Sequence, residues 1–297
     1  MKVLVTGRSG QVGAQLARLL PAVAETIAVG RETMDLARPD SIREAIRAVR
    51  PDVIVNAAGY THVDNAQSDA ALAHAVNAEA PGVMAEEAKR LGALFVHYSS
   101  VYVFDGKAAR AYTESDTPNP INEYGRSKLA GEQAIAATGA CALVLRASWV
   151  FDVRGRNFLL TMLRLAARHD ELRVVRDQIG SPTWAHAIAE MTVSLLRDAA
   201  AVRERAGTYN LSALGEVTRY DFTRRMLELT AALRRNRGLR VVPIATANYP
   251  LLAPRPLNSA LDNTRFMTTF GARPETWDRQ LQACLEELPP EAVEAGR

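Results

Sequence analysis

Through the first half of the chain, short apolar runs alternate with stretches whose apolar residues recur at helical spacing. Lys2–Thr6 reads as a buried strand, and Gln11–Leu20 as a helix with Val12, Leu16, Leu19 and Leu20 on one face. Thr26–Val29 predicts a second strand. Ser41 then opens a helix, with Glu44 at capping-box spacing. Asp52–Asn56 is a third strand and Pro81–Leu91 a helix stopped by Gly92. Leu94–His97 is a fourth strand, ending at Tyr98-Ser99-Ser100. Asn122–Thr138 is a helix stopped by Gly139, and Ala142–Leu145 is another strand. Strands that are apolar throughout, separated by helices, belong to a parallel sheet covered on both faces. The pattern therefore predicts an α/β fold with a doubly wound, Rossmann-like parallel sheet.

Beyond about Trp149 the alternation loosens. Asn157–Arg168 is an amphipathic helix, Val174–Trp184 reads as a loop, Thr218–Leu233 as a helix, and Pro243–Pro256 as irregular chain. We expect residues 1–150 to bind a dinucleotide. Residues 151–297 are expected to form a smaller substrate-binding lobe, with some segments packing back on the sheet. A length of 297 residues suits two such lobes at roughly 150 residues each. The 36 basic and 33 acidic residues leave a net charge of +3, too small to point to nucleic acid or an anionic membrane. No apolar stretch approaches the roughly 20 residues of a membrane span, and no signal-peptide core follows the first strand. Two cysteines, Cys141 and Cys284, make no disulfide framework, which suits a reducing cytoplasm.

Candidate chemistry begins at the first strand–helix joint. Thr6-Gly7-Arg8-Ser9-Gly10-Gln11-Val12-Gly13 has G-x-x-G-x-x-G spacing. Gly7 permits a tight turn, Gly10 lets a diphosphate approach the backbone, and Gly13 lets the helix pack closely. The diphosphate would meet free N–H groups at the positive end of the helix. An NAD site carries Asp or Glu at the end of the second strand, whereas this chain reads Val29-Gly30-Arg31. Arg31 can pair with a 2′-phosphate, so NADP(H) is favoured, with NAD(H) as the alternative. Asp35 lies close enough to meet the adenine edge instead.

A second constellation follows. Ser100 ends the fourth strand, and Tyr124 and Lys128 lie one helical turn apart. Ketone reduction needs a proton for the oxygen, and a phenol of pKa about 10 is a poor donor at neutral pH. A neighbouring ammonium lowers that pKa, and a serine hydroxyl can bond the carbonyl oxygen as charge develops. Only four of the 36 basic residues are lysines (Lys2, Lys89, Lys107, Lys128), so a lysine at this position stands out.

These motifs resemble a known family. The glycine turn, Asp52-Val53-Ile54-Val55-Asn56-Ala57-Ala58, Tyr60-Thr61-His62-Val63-Asp64 and Val101-Tyr102-Val103-Phe104-Asp105-Gly106 are all similar to the dTDP-4-dehydrorhamnose reductases. These belong to the extended short-chain dehydrogenase/reductases. So are Asn122–Glu132, Leu145–Phe151, Asn157-Phe158, Asp177–Thr183 and Arg255–Ser259, in order along nearly the whole chain. The resemblance implies NADPH-dependent reduction of the C4 ketone of dTDP-4-dehydro-β-L-rhamnose. It implies Gly10, Gln11, Val12, Asp35, Leu36, Gly59, Tyr60, Thr61 and Tyr98 near the cofactor. It places Ser100 and Trp149 near the sugar, with Tyr124 as proton donor and Lys128 as its partner. It also implies a homodimer and, in some members, magnesium, for which the sequence offers no ligand cluster. The family's usual Ser-Thr-Asp-Tyr reads Ser99-Ser100-Val101-Tyr102 here, so Val101 replaces a carboxylate beside the substrate. Arg255, in a proline-rich segment that matches the family, is a candidate diphosphate contact.

Weaker signals have plainer readings. His62, His74, His97, His169 and His186 show no ligand spacing, and His97 reads as a satisfied core residue. Trp184 and Trp277 read as packing residues, and Arg234-Arg235-Asn236-Arg237 as a solvated helix end. An epimerase or dehydratase on another nucleotide sugar, or an NADP-binding regulatory subunit without turnover, are the competing functions.

Overall fold

The computed structural model describes residues 1–231 and 238–289. The Arg234–Arg237 run and the end of the helix expected to reach Leu233 lie outside them.

Four βα steps and a fifth strand open the chain. They comprise β1 (Lys2–Thr6), α1 (Gln11–Leu19), β2 (Glu25–Val29), α2 (Pro39–Val49), β3 (Val53–Asn56), α3 (Ala70–His74), α4 (Ala80–Leu91), β4 (Leu94–Ser100), α5 (Glu123–Thr138) and β5 (Ala142–Ala147). Helix α2 starts two residues before Ser41. Pro39 fits the first helical turn, and the Ser41 hydroxyl instead accepts the Asp35 N–H at 3.1 Å.

After β5 come β6 (Val150–Phe151), α6 (Phe158–Arg168), β7 (Glu171–Val175), β8 (Ile179–Gly180), β9 (Thr183–Trp184), α7 (Ala185–Leu196) and α8 (Ala199–Glu204). The chain then runs through β10 (Gly207–Asn210), β11 (Val217–Thr218), α9 (Arg219–Leu229), β12 (Arg240–Ile244), β13 (Asn258–Ser259), α10 (Thr264–Phe270) and α11 (Trp277–Glu286). The stretch read as a loop at Val174–Trp184 thus holds two-residue strands, too short to show a period. Pro243 lies inside β12, which pairs with β7 alone; an edge position tolerates a residue that cannot donate.

The main sheet has the order β10-β5-β4-β3-β1-β2, every pair parallel. Its strands are buried on both faces, and alternate residues serve alternate layers. Val3, Val5, Val53, Val55, Leu94 and Val96 pack with α1 and α7. Leu4, Ile54 and Phe95 pack with Ile42 and Ile46 of α2 and Met84 of α4. A separate core joins α6, β7, α9 and α11 through Leu159, Leu163, Phe222, Met226 and Leu281. Sequence order reverses between β1 and β3, so their carboxyl ends flank the crevice where such sheets bind ligands.

Candidate active site

The glycine turn sits at that reversal. Gly7 has φ +75°, and a Cβ there would lie 2.8 Å from the Ala58 nitrogen, so the turns after β1 and β3 touch. The Gly10 N–H donates to the Gly7 carbonyl at 2.8 Å, and Gly10 caps α1 without a side-chain bond or an acid in the first turn. A backbone cradle with no side chain in it, ending at an uncapped helix N-terminus, fits a diphosphate. Gly13 is buried, Val12 packs against the core, and Gln11 Oε1 accepts from Asn157 Nδ2 at 3.0 Å.

At the end of β2 the Arg31 side chain is 81% exposed and 3.6 Å from Asp35. Asp35 also accepts the Ala37 N–H at 3.1 Å, and Leu36 is buried in the core. An acid does stand here: Glu32, one residue past Arg31, is paired with Arg8 of the glycine turn at 2.8 Å. The absence of an acid read from Val29-Gly30-Arg31 is corrected to an acid already engaged by a guanidinium. After β3, Asn77 clasps Tyr60, accepting its N–H at 2.9 Å and donating to its carbonyl at 3.0 Å. Tyr60 also bonds Asp69, and Gly59 and Thr61 are exposed. Tyr98 turns its ring into the other layer, where its hydroxyl bonds Thr192 of α7 at 2.6 Å. Only its carbonyl faces α5.

Ser100 ends β4, and α5 crosses beside it. Asn122 caps α5, accepting the Gly125 N–H at 2.8 Å. This sets Tyr124 in the first turn, its hydroxyl toward Ser100 and its ring edge-on to Tyr102 at 5.7 Å. Ser100 Oγ accepts the Tyr102 N–H at 3.2 Å. Burial raises the Tyr124 pKa to about 12, against the lowering effect of Ser100. Burial lowers that of Lys128 to about 8, opposed by the charge of Glu132.

The expectation that the ammonium depresses the phenol pKa is therefore corrected. Desolvation dominates at Tyr124. Lys128 Nζ donates instead to the Tyr98 carbonyl at 2.7 Å and lies 3.3 Å from His97 Nε2. Glu132, one turn further on, accepts from Ser99 and from Arg146 of β5 at 2.9 and 2.6 Å.

The remaining predicted residues divide. Val101 is 1% exposed, packed with Val103, Phe104, Tyr112 and Leu261, so it presents nothing to a ligand. An apolar side chain falls into that core where a carboxylate could not. Trp149 adopts φ +43°, a left-handed conformation rare for a bulky residue. Its ring packs against Gly180, and the Arg219 guanidinium lies 3.6 Å from its centroid. Arg255 is paired with Asp64 at 2.6 Å and donates to the Ala253 carbonyl, which straps the proline-rich segment to the loop after β3. Burial works against the Asp64 carboxylate, yet Arg255 and the Ala253 N–H hold it below the usual range.

Arg219 and Tyr102 were not singled out from sequence. Arg219 lies near the Tyr102 hydroxyl and the Arg255 charge; burial lowers its pKa to about 10. Among the described residues no carboxylate reaches it. Its only local signal was its place just after the α9 cap, Thr218. Trp184 and Trp277 pack in the second core. Among the described residues no three His, Cys, Asp or Glu side chains are grouped to hold a metal ion.

Comparison with known proteins fits this arrangement. The family described as the RmlD substrate binding domain matches residues 1–289. The chain is 44% identical to the dTDP-4-dehydrorhamnose reductase of Burkholderia thailandensis, over 97% of this chain and 99% of that one. It is 38% identical to that of Escherichia coli K12, over 97% and 98%. A crystal structure of the Bacillus anthracis dTDP-4-dehydrorhamnose reductase, in complex with NADP, superposes with TM-score 0.89. That protein is 30% identical, with 96% of this chain and 99% of that one covered. The chain belongs to the RmlD substrate binding domain family, alongside the dTDP-4-dehydrorhamnose reductases that it matches from end to end.

Proposed function

We propose that this protein reduces the C4 ketone of dTDP-4-dehydro-β-L-rhamnose to dTDP-L-rhamnose with NADPH. The observation that carries the reading is the Tyr124 hydroxyl set toward Ser100 at the carboxyl end of β4, one helical turn from Lys128, in a member of this family. Gly7, Gly10, Gln11, Val12 and Gly13 would hold the diphosphate, with Gly59, Tyr60 and Thr61 on the opposite side of the crevice. When bound there, a reduced nicotinamide supplies hydride to the carbonyl carbon. Tyr124 gives its proton to the carbonyl oxygen, and Ser100 donates to the same oxygen as charge builds. Lys128, whose proton burial loosens, stands one helical turn away to return a proton to the phenolate left behind. Arg219, a cation with no carboxylate partner among the described residues, suits the substrate diphosphate better than Arg255, which Asp64 already neutralises.

NADP(H) is the preferred cofactor on this reading, because Arg31, exposed and only loosely paired with Asp35, can meet a 2′-phosphate while Glu32 is held by Arg8. The reading includes a cytoplasmic homodimer in which residues 1–150 hold the cofactor and 151–297 chiefly the sugar. No helix among the described residues is long and apolar enough to cross a membrane. The test is to mix the protein with NADPH and dTDP-4-dehydrorhamnose and follow the reduced-nicotinamide absorbance. Turnover is expected, with Tyr124→Phe lowering kcat by about 10²–10⁴-fold, the usual weight of general acid catalysis. No oxidation by the wild type overturns the proposal.

A further inference from the structure

Behind the lysine lies a row of polar side chains that the proposed reaction leaves unused. Thr6, Asn56 and His97 are neighbours in register on β1, β3 and β4, and all three are at most 2% exposed. They continue the strand positions whose earlier residues, Leu4, Ile54 and Phe95, pack beneath α2 and α4. A polar row in an otherwise apolar layer calls for an account, since each buried donor and acceptor must be matched.

The matching can be worked out atom by atom. The Ala58 backbone N–H can only donate, and it points at Thr6 Oγ1 (3.3 Å) and Asn56 Oδ1 (3.2 Å). The Thr6 hydroxyl donates to the same Asn56 Oδ1 at 2.6 Å. Two donors thus fix which end of the Asn56 amide is oxygen. Its Nδ2, which can only donate, faces His97 Nδ1 at 3.1 Å. His97 Nδ1 must then be the acceptor. Burial and the charge of Lys128 both push the His97 pKa well down, so the ring is neutral and its single proton sits on Nε2. That N–H faces Lys128 Nζ at 3.3 Å.

We propose that His97 is a positioning residue that lowers the proton affinity of Lys128, through a ring tautomer dictated by Asn56. As a neutral amine, Lys128 has a lone pair to accept the Nε2–H while it donates to the Tyr98 carbonyl. As an ammonium it turns a proton toward another proton. Relief would need the ring and the Asn56 amide to turn, which sets the Asn56 Nδ2 donor against the Ala58 N–H donor. The other groups facing Lys128 are few. Tyr124 and Glu132 come from its own helix, and Glu132 is committed to Arg146 of β5 and Ser99 of β4. The Tyr98 phenol is turned away to Thr192. The arrangement keeps the lysine proton loosely held beside the proton donor, and in that sense the inference rests on the proposed reductase.

The scarcity of lysine makes the test direct. With ¹³C-labelled lysine, four side chains titrate, and Lys128→Met identifies the signal of interest. Lys128 is expected to titrate well below the ordinary lysine range. In His97→Gln, whose amide can offer its oxygen to the ammonium, the midpoint should rise by about one pH unit, equivalent to one modest hydrogen-bond conflict removed. An unchanged or lower midpoint overturns the proposal. Should His97→Gln not fold, ¹⁵N spectra of the wild-type imidazoles decide: His97 protonated on Nε2 is expected, and protonation on Nδ1 overturns it. Neither measurement needs turnover, so their outcome stays separate from whether the protein reduces the sugar.

Discussion

Single residues decide cofactor choice. The Arg31 side chain is nearly free in solvent, and its pairing with Asp35 at 3.6 Å is loose. A charge-assisted bond to a 2′-phosphate is worth about 1.5 kcal/mol, so Arg31→Ala should weaken NADPH binding about tenfold. NADH affinity should stay unchanged; equal losses for both cofactors in a fluorescence titration would remove Arg31 from the reading. Residue scale is also where sequence was least legible. Tyr124, Lys128 and Ser100 announced themselves by spacing and strand position. His97 did not, because its meaning lies in partners 41 and 31 residues away on β3 and α5. Arg219 was hidden for the same reason: a guanidinium among 32 acquires significance only from the indole beneath it. Glu32 carries no local signal of its own, since its pairing with Arg8 joins the ends of two strands that only the fold brings together.

At the scale of elements, α5 carries the proposed proton donor, and its seat is set by close backbone contact. A Cβ at Gly131 would overlap the Asn77 carbonyl, and one at Gly125 would overlap that of Tyr102. Gly131→Ala should therefore push α5 outward. Overpacking of this kind costs about 1–3 kcal/mol, read as a lower urea midpoint. It should also cut kcat, because Tyr124 moves off Ser100; unchanged kcat with lowered stability would show that helix placement is not what positions the phenol. The long elements were legible because burial on both faces leaves runs such as Val53–Asn56, and because glycines at 92 and 139 end helices in left-handed turns. Two-residue strands such as β8 and β9 carry no period, and Pro243 disguised β12 as irregular chain.

At the scale of the whole molecule, the described apolar side chains form layers on both faces of the sheet, a second core beneath α9 and α11, and a smaller cluster around Val101. The three tryptophans report on the second: Trp184 and Trp277 are part of that cluster, and Trp149 lies against Gly180 and Arg219 at its margin. Far-ultraviolet dichroism weighs the entire fold. Since β10, α7 and α10 tie the later chain to the sheet, both probes should report one coincident thermal transition. NADPH at about 100 times its Kd should stabilise the fold by about 2.7 kcal/mol and raise both midpoints together, by roughly 5 °C. A tryptophan transition that ignores the nucleotide would mean that the lobes melt separately.

The placement of β10 has a practical consequence for anyone dissecting this enzyme. The strand that completes the sheet beside β5 is supplied by Gly207–Asn210, some sixty residues after β5 ends at Ala147. A fragment cut near residue 150 would leave β5, with Leu143 and Leu145, as a naked margin of unpaired amides, an invitation to stick to its own copies. Chimaeras between relatives should therefore leave the thread through 185–210 with its original partner.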